Sequence, residues 1–310
     1  MVAMMKAIVK QSRNPEDLAV VDMPIPDINE NEMLVKMKAI GVGIHDGYFH
    51  ASDVTYPYTI GIEGAGIIEK TGDNVAEYGL GDRIAFVSMM QPKGGTWAEY
   101  AVLDKNSLIF AIPEQMDFTE AAAIPVAGNT VIKALSSFNM ERGGTLFIAG
   151  ASGAIGTFAI QLAKSRGYQV AASASSKNHE YMRSLGADKT VDYRDEDWIE
   201  QVRAWALGEG VDAALAIQPN TAYDSMQTVK NGGKVVTVSG ERVAGERGIE
   251  VEQVSHQVDI KQSLNNMVHD IANKEMQLTI EHVYPFEDGI KALQKTVTRH
   301  AQGKAVIKVD

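Results

Sequence analysis

The sequence predicts an α/β fold in which a parallel-sheet domain, residues 121–265, is inserted into a β-rich domain built from residues 1–120 and 266–310. Three observations predict it. Up to about residue 115 the chain is strand-like and punctuated by turn glycines. From Asp117 onward, apolar strands alternate with helical stretches, which argues for a parallel sheet covered on both faces. From about Gln277 the strand-like character returns.

The elements follow in order. Met33–Ile40 alternates, with Val35, Met37 and Ala39 opposite Lys36 and Lys38, as a half-buried strand does. Gly61, Gly64, Gly66, Gly72, Gly79 and Gly81 mark turns. Short strands are expected at Ile62–Lys70, Arg83–Ser88 and Trp97–Leu103. Asp117 with Glu120 reads as a capping box. Pro125 interrupts that helix, and a second one is expected over Val126–Phe138.

In the inserted part, strands are expected at Thr145–Ala149, Gln169–Ala174, Val211–Ile217 and Lys234–Ser239. Helices over Gly156–Arg166, Asn178–Leu185, Trp198–Leu207 and Ala222–Val229 separate them. One amphipathic helix, Phe286–Thr298, and one strand, Ala305–Val309, close the chain.

The turn after the first of these strands reads Gly150-Ala151-Ser152-Gly153-Ala154-Ile155-Gly156. It fits A-x-G-x-x-G rather than strict G-x-G-x-x-G. A small residue lets backbone approach a pyrophosphate, and the last glycine lets helix and strand pack closely. The helix start then offers free N–H groups and partial positive charge to phosphate. Strand before, helix after and a second strand at the right distance are the context a dinucleotide site requires.

The end of the second strand selects the cofactor. NAD sites place Asp or Glu there for the ribose hydroxyls. This chain has Ser173-Ala174-Ser175-Ser176-Lys177-Asn178, with no acid before Glu180. Hydroxyls and an ammonium suit a 2′-phosphate, so NADPH is expected over NADH. The competing reading of Lys177 is a solvated surface lysine.

Composition excludes several classes. There is no cysteine, hence no disulfide, no thiolate nucleophile and no zinc site built with sulfur. The formal net charge of -11 suits no nucleic-acid partner. No secretory leader is read over Met1–Lys10, and no run nears the roughly 18 apolar residues of a membrane span. A soluble cytoplasmic protein with no membrane partner is expected. His45 and His50 are five apart, a spacing that suits no shared metal.

Four stretches together resemble the medium-chain dehydrogenase/reductase superfamily, and within it the zinc-free, zeta-crystallin-like quinone oxidoreductases. They are A-I-G-V-G-I-H-D-G-Y (Ala39–Tyr48), G-I-E-G-A-G-I-I (Gly61–Ile68), G-A-S-G-A-I-G with S-L-G-A-D (Ser184–Asp188), and H-A-Q-G-K-A-V-I (His300–Ile307). The resemblance implies a Rossmann cofactor domain inserted into a GroES-like catalytic domain. It implies that Tyr48 lines the acceptor pocket, that Thr130 lies near the nicotinamide, and that Lys177 and Tyr193 hold the 2′-phosphate, with Gly240 approaching the nicotinamide. It also implies a homo-oligomer.

The catalytic-zinc positions of related alcohol dehydrogenases fall on Gly43, Ile62 and Val126, none of which can ligate, so no metal is expected. A metal-free hydride transfer to quinones or α,β-unsaturated carbonyls follows, since these acceptors are already electrophilic. Two departures from the family pattern bear on substrate range: Gly43 replaces a common Asn, and Gln218-Pro219-Asn220 replaces a glycine-containing loop. That loop keeps open a second reading, a non-catalytic NADPH-binding protein. A zinc alcohol dehydrogenase is the third.

Overall fold

The computed structural model describes residues 2–48, 50, 52, 54–88, 91–255 and 257–310. In chain order it begins with β1 (Met4–Lys10), β2 (Leu18–Pro24), β3 (Glu32–Val42), β4 (Tyr58–Thr59), β5 (Glu63–Thr71), β6 (Arg83–Val87), β7 (Tyr100–Asp104) and β8 (Leu108–Ala111). Then come α1 (Phe118–Ala122), α2 (Pro125–Ser136), β9 (Thr145–Ala149), α3 (Ala154–Ser165), β10 (Gln169–Ser173), α4 (His179–Ser184), β11 (Lys189–Val191) and α5 (Trp198–Trp205). The rest is β12 (Val211–Ala216), α6 (Ala222–Thr228), β13 (Val229–Thr237), β14 (Glu250–Gln253), α7 (Lys261–Ala272), β15 (Ile280–Pro285), α8 (Gly289–Val297) and β16 (Lys304–Lys308).

The chain forms two compact units, Met1–Val126 with Ile280–Asp310, and Ala127–Thr279. The first holds a sheet ordered β15-β16-β3-β5-β6-β8 with β7 also on β3, and a smaller antiparallel sheet β2-β1-β4. β3 is long enough to serve two partners on one edge, Glu32–Lys36 with β7 and Ala39–Val42 with β16, while β5 pairs along the other. Its side chains alternate as expected, with Lys36 and Lys38 half-exposed between fully buried neighbours. Trp97, Phe86, Met37 and Ile40 centre the core, and Phe286, Ala292 and Leu293 close it.

Two expectations here need correction. The strand expected from Trp97 begins only at Tyr100. Trp97 and Glu99 bond to β1 instead, through Ile8 N–H to Trp97 O and Glu99 N–H to Lys6 O, and since Glu99 O accepts from Met37 N–H of β3, the chain changes sheets at Glu99. The single helix expected over Phe286–Thr298 is a 3₁₀ turn, Phe286–Asp288, followed by α8. A Cβ at Gly289 would stand 2.4 Å from Ile8 Cδ1. Glycine leaves room for the Ile8 side chain of β1 against the start of α8.

The second unit is a six-stranded parallel sheet ordered β11-β10-β9-β12-β13-β14. That order, 3-2-1-4-5-6 in chain sequence, is the doubly wound dinucleotide-binding arrangement, which binds ligands beyond the carboxyl ends of its strands. Phe147, Ala171, Ala214 and Val235 fill one core layer. Local rules set the helix ends. The capping box on α1 forms, with Glu120 N–H to Asp117 Oδ1 at 2.7 Å and Asp117 N–H to Glu120 Oε2 at 3.1 Å. Pro125 opens α2 where its missing N–H costs nothing. Gly167, at φ +82°, closes α3 with its N–H on Lys164 O.

Helix α7 went unread in the sequence, although Leu264, Met267, Val268 and Ile271 are buried at the helical period. No helix among the described residues is long and apolar enough to cross a membrane.

Candidate active site

The nucleotide turn is built as its sequence demands. β9 ends at Ala149, and Gly150 takes φ +79°, a left-handed conformation that favours glycine. The N–H groups of Gly150 and Ala151 both donate to Ser173 O, at 3.2 and 3.0 Å, which ties the turn to the end of β10. Gly153 then stands at the N-cap of α3 and supplies no side-chain cap to it. A Cβ at Gly156 would lie 2.5 Å from the Ala151 backbone, so the helix starts directly on the turn. A Cβ at Gly153 would meet nothing within 4 Å. Tight where helix meets strand and open where a phosphate would rest, the turn fits a dinucleotide pyrophosphate.

Ser173 meets this turn through its carbonyl, while Ser176, Lys177 and Tyr193 follow the ends of the adjacent strands. Ser173 sits level with Ala149 on one side and Val191 on the other. Ser176 and Lys177 are exposed just past β10, and Tyr193 is exposed just past β11. Asp192, buried between them, accepts from Ser176 N–H at 2.7 Å and Arg194 N–H at 3.1 Å. Gly240 lies three residues past β13 at φ +77°, its carbonyl bound by Gln253 Nε2. Gln218, in the loop after β12, lies against Gly150, where a Cβ would meet its Cγ at 2.5 Å. Thr130 is half-buried within α2.

In the first unit, Tyr48 is half-exposed and its hydroxyl lies 2.5 Å from His45 Nδ1. The sequence had raised His45 only as a metal ligand; a partner three residues away was the signal for a different role. Burial, then the positive charges of Arg299 and Lys304, hold the His45 pKa below the ordinary histidine value. A neutral imidazole therefore faces the Tyr48 hydroxyl near pH 7.

Beneath them lie charges that sequence reasoning assigned no site. Glu63 is buried and bonded to the Lys304 ammonium, while its other oxygen accepts from Val126 N–H at 2.8 Å at the start of α2. Asp46 is 1% exposed, with one oxygen on Gly43 N–H at 2.7 Å and the other without a partner. Burial and then the Glu63 charge outweigh the Gly43 N–H and Lys304, raising its pKa to about 7. The Trp97 indole N–H eases this little, since it too makes no hydrogen bond. Gly43, Ile62 and Val126 carry no donor atom in their side chains. Among the described residues no three acids or histidines cluster as a metal site would require.

Comparison with known proteins agrees with this architecture. A family model for the alcohol dehydrogenase GroES-like domain matches residues 29–114, and one described as zinc-binding dehydrogenase matches residues 154–281. The chain is 28% identical to the quinone oxidoreductase of Sus scrofa over 305 residues, 92% of each chain. It is 30% identical over 297 residues to the chloroplastic NADPH-dependent alkenal/one oxidoreductase of Arabidopsis thaliana, covering 91% of this chain and 73% of that one. The solved quinone oxidoreductase of Coxiella burnetii superposes with a TM-score of 0.87 at 25% identity, over 99% of this chain and 100% of that one. On fold, nucleotide turn and full-length similarity together, the chain belongs to the medium-chain dehydrogenase/reductase family of oxidoreductase enzymes and is built for a nicotinamide cofactor.

Proposed function

We propose that the protein is an NADPH-dependent reductase that works without a metal, passing hydride to quinones or α,β-unsaturated carbonyls. The observation that carries this reading is the end of β10, where Ser173, Ser175, Ser176 and Lys177 stand in sequence and an NAD enzyme would present an acid. The relatives named for quinone and for alkenal/one reduction support the acceptor class. Absence of donor atoms at Gly43, Ile62 and Val126 supports the metal-free part. An alcohol needs a Lewis acid to ease loss of its proton, worth several kcal/mol; a quinone or enone needs none.

In this reading the amides after Gly153 hold the pyrophosphate, Lys177 and Tyr193 hold the 2′-phosphate, and Thr130 and Gly240 position the nicotinamide end. Bound NADPH supplies the hydride. The chain's own part is orientation and charge control. As hydride arrives, negative charge grows on the acceptor oxygen. The Tyr48 hydroxyl donates a hydrogen bond there, and its bond to neutral His45 fixes the ring and links it to a second proton carrier. The reduced product takes its remaining proton from water.

Two variants test the roles. Tyr48→Phe should lower kcat about a hundredfold or more with little change in NADPH affinity, the scale of one preorganised donor. An unchanged kcat would make Tyr48 a wall only. Lys177→Ala should weaken NADPH about tenfold more than NADH, the scale of one charge-assisted contact; equal loss would remove Lys177 from the phosphate site.

The function itself is tested by NADPH oxidation with benzoquinone, naphthoquinone, short enones and aldehydes side by side, NADH as control, before and after dialysis against a chelator. Quinone or enone reduction that survives the chelator is expected. Activity that needs added zinc, or none with any acceptor, would contradict the proposal.

A further inference from the structure

We infer that Arg194 is a second phosphate-binding cation, held on one ledge with Lys177 by the buried Asp192, and that the two cations together select the 2′-phosphorylated dinucleotide. The inference rests on the NADPH reading above and adds a residue that the sequence did not single out.

The topology brings the two loops together. β10 and β11 run parallel with Ser173 level with Val191, and Ala174 N–H bonds to Val191 O at 3.3 Å. The segments leaving both strands therefore start side by side at the ligand-binding edge of the sheet. Asp192 is the first residue past β11, and it is buried while Tyr193 and Arg194 after it are exposed. Its two oxygens divide their work. Oδ2 accepts from Ser176 N–H at 2.7 Å in one loop, and Oδ1 from Arg194 N–H at 3.1 Å in the other. One carboxylate thus pins the residue before Lys177 to Arg194 itself.

The same contacts explain why Asp192 does not play the part of an NAD ribose acid. Both oxygens are turned to backbone amides. Burial pushes its pKa up, but the N–H groups of Arg194 and Ser176 and the Arg194 charge more than offset this and hold it below the usual carboxylate range. It stays an ionised strut at working pH.

Arg194 is shaped for the task. Its guanidinium lies 5.3 Å from the centre of the Tyr193 ring, with Nη2 3.4 Å from the Tyr193 hydroxyl. Among the described residues its guanidinium makes no other hydrogen bond, which leaves most of the fork for a ligand. A planar fork binds a phosphate through two donors at once, where lysine offers a point charge. Asp195, Glu196 and Asp197 follow directly and are exposed. A phosphate beside such an acidic run needs the extra cation.

The test measures dissociation constants for NADPH, NADH, 2′,5′-ADP and 5′-AMP by calorimetry on the whole protein, at two salt concentrations. The proteins are the parent, Arg194→Gln, Lys177→Gln and the double variant. Arg194 is exposed, so its loss leaves the core untouched. Arg194→Gln is expected to weaken NADPH and 2′,5′-ADP about tenfold, to leave NADH and 5′-AMP within about twofold, and to flatten the salt dependence of NADPH binding. The double variant should hold both cofactors about equally. Arg194→Gln with the parent's NADPH-to-NADH ratio, or with equal loss of both, overturns the inference. A parent that holds NADH as tightly as NADPH overturns the cofactor reading itself, before any variant is compared.

Discussion

Gly153→Val should abolish dinucleotide binding while leaving the protein folded. The backbone at Gly153, φ -79° and ψ 179°, is open to any residue, and a Cβ there meets nothing within 4 Å. The folded chain alone has no reason to reject a side chain. A pyrophosphate docked on the free amides of α3 does, because the valine methyls would fill the space its oxygens need. NADPH affinity should fall at least a hundredfold, about 2.7 kcal/mol, with the melting temperature nearly unchanged. Gly156→Ala is the counterpart. There the Cβ would lie 2.5 Å from the Ala151 backbone, so turn and helix must part. Overpacking of this kind costs ~1–3 kcal/mol of stability. Binding and stability should fall together. Calorimetric titration and thermal unfolding of the two variants separate these outcomes. Tight NADPH binding by Gly153→Val would move the phosphate site elsewhere.

Asp46 should make the protein less stable as pH rises toward neutrality. Its carboxyl is raised from 3.8 to about 7 in the folded chain. Between those values the folded state keeps a proton that the unfolded state has released. Unfolding free energy then falls with pH by up to about 1.4 kcal/mol per unit, roughly 4 kcal/mol in all, and stays low above pH 7. Asp46→Asn keeps the size and an oxygen for Gly43 N–H, yet has no proton to lose. Urea unfolding at pH 5 and pH 8 should show the variant's stability relative to the parent growing by roughly 3 kcal/mol between the two. A parent and variant with the same pH dependence would mean that Asp46 is ionised and compensated throughout.

Local chemistry made much of this legible in advance. Four strands of the inserted sheet, β9, β10, β12 and β13, could be read because each is an apolar run flanked by a helical stretch, whereas β11 and β14 are only three and four residues long and carry polar side chains. The turn from Gly150 to Gly156 could be read because only small residues permit that approach. Trp97 was harder. Its apolar surroundings fit a strand in either sheet, and tertiary pairing with β1 decided the matter. At the start of α8, Ile8, far away in sequence, packs where a Cβ on Gly289 would stand.

Charges were the least legible part of the site. Asp46, Glu63 and Lys304 look like ordinary surface residues in a sequence, and nothing in their spacing announces burial. Arg194 lies outside the pattern at the end of β10, and its place is set through Asp192 by the neighbouring strand. His45 and Tyr48 are three apart, a spacing a turn can bring into contact, but the pair was weighed only as separate groups.

The central claim is that this turn and the ledge beside it hold NADPH. A crystal structure of the protein grown with NADPH measures that directly. The account predicts pyrophosphate oxygens against the amides that follow Gly153, and the 2′-phosphate between Lys177 and Tyr193. NADPH bound elsewhere, or a 2′-phosphate turned out to solvent with Lys177 and Tyr193 apart from it, would contradict it.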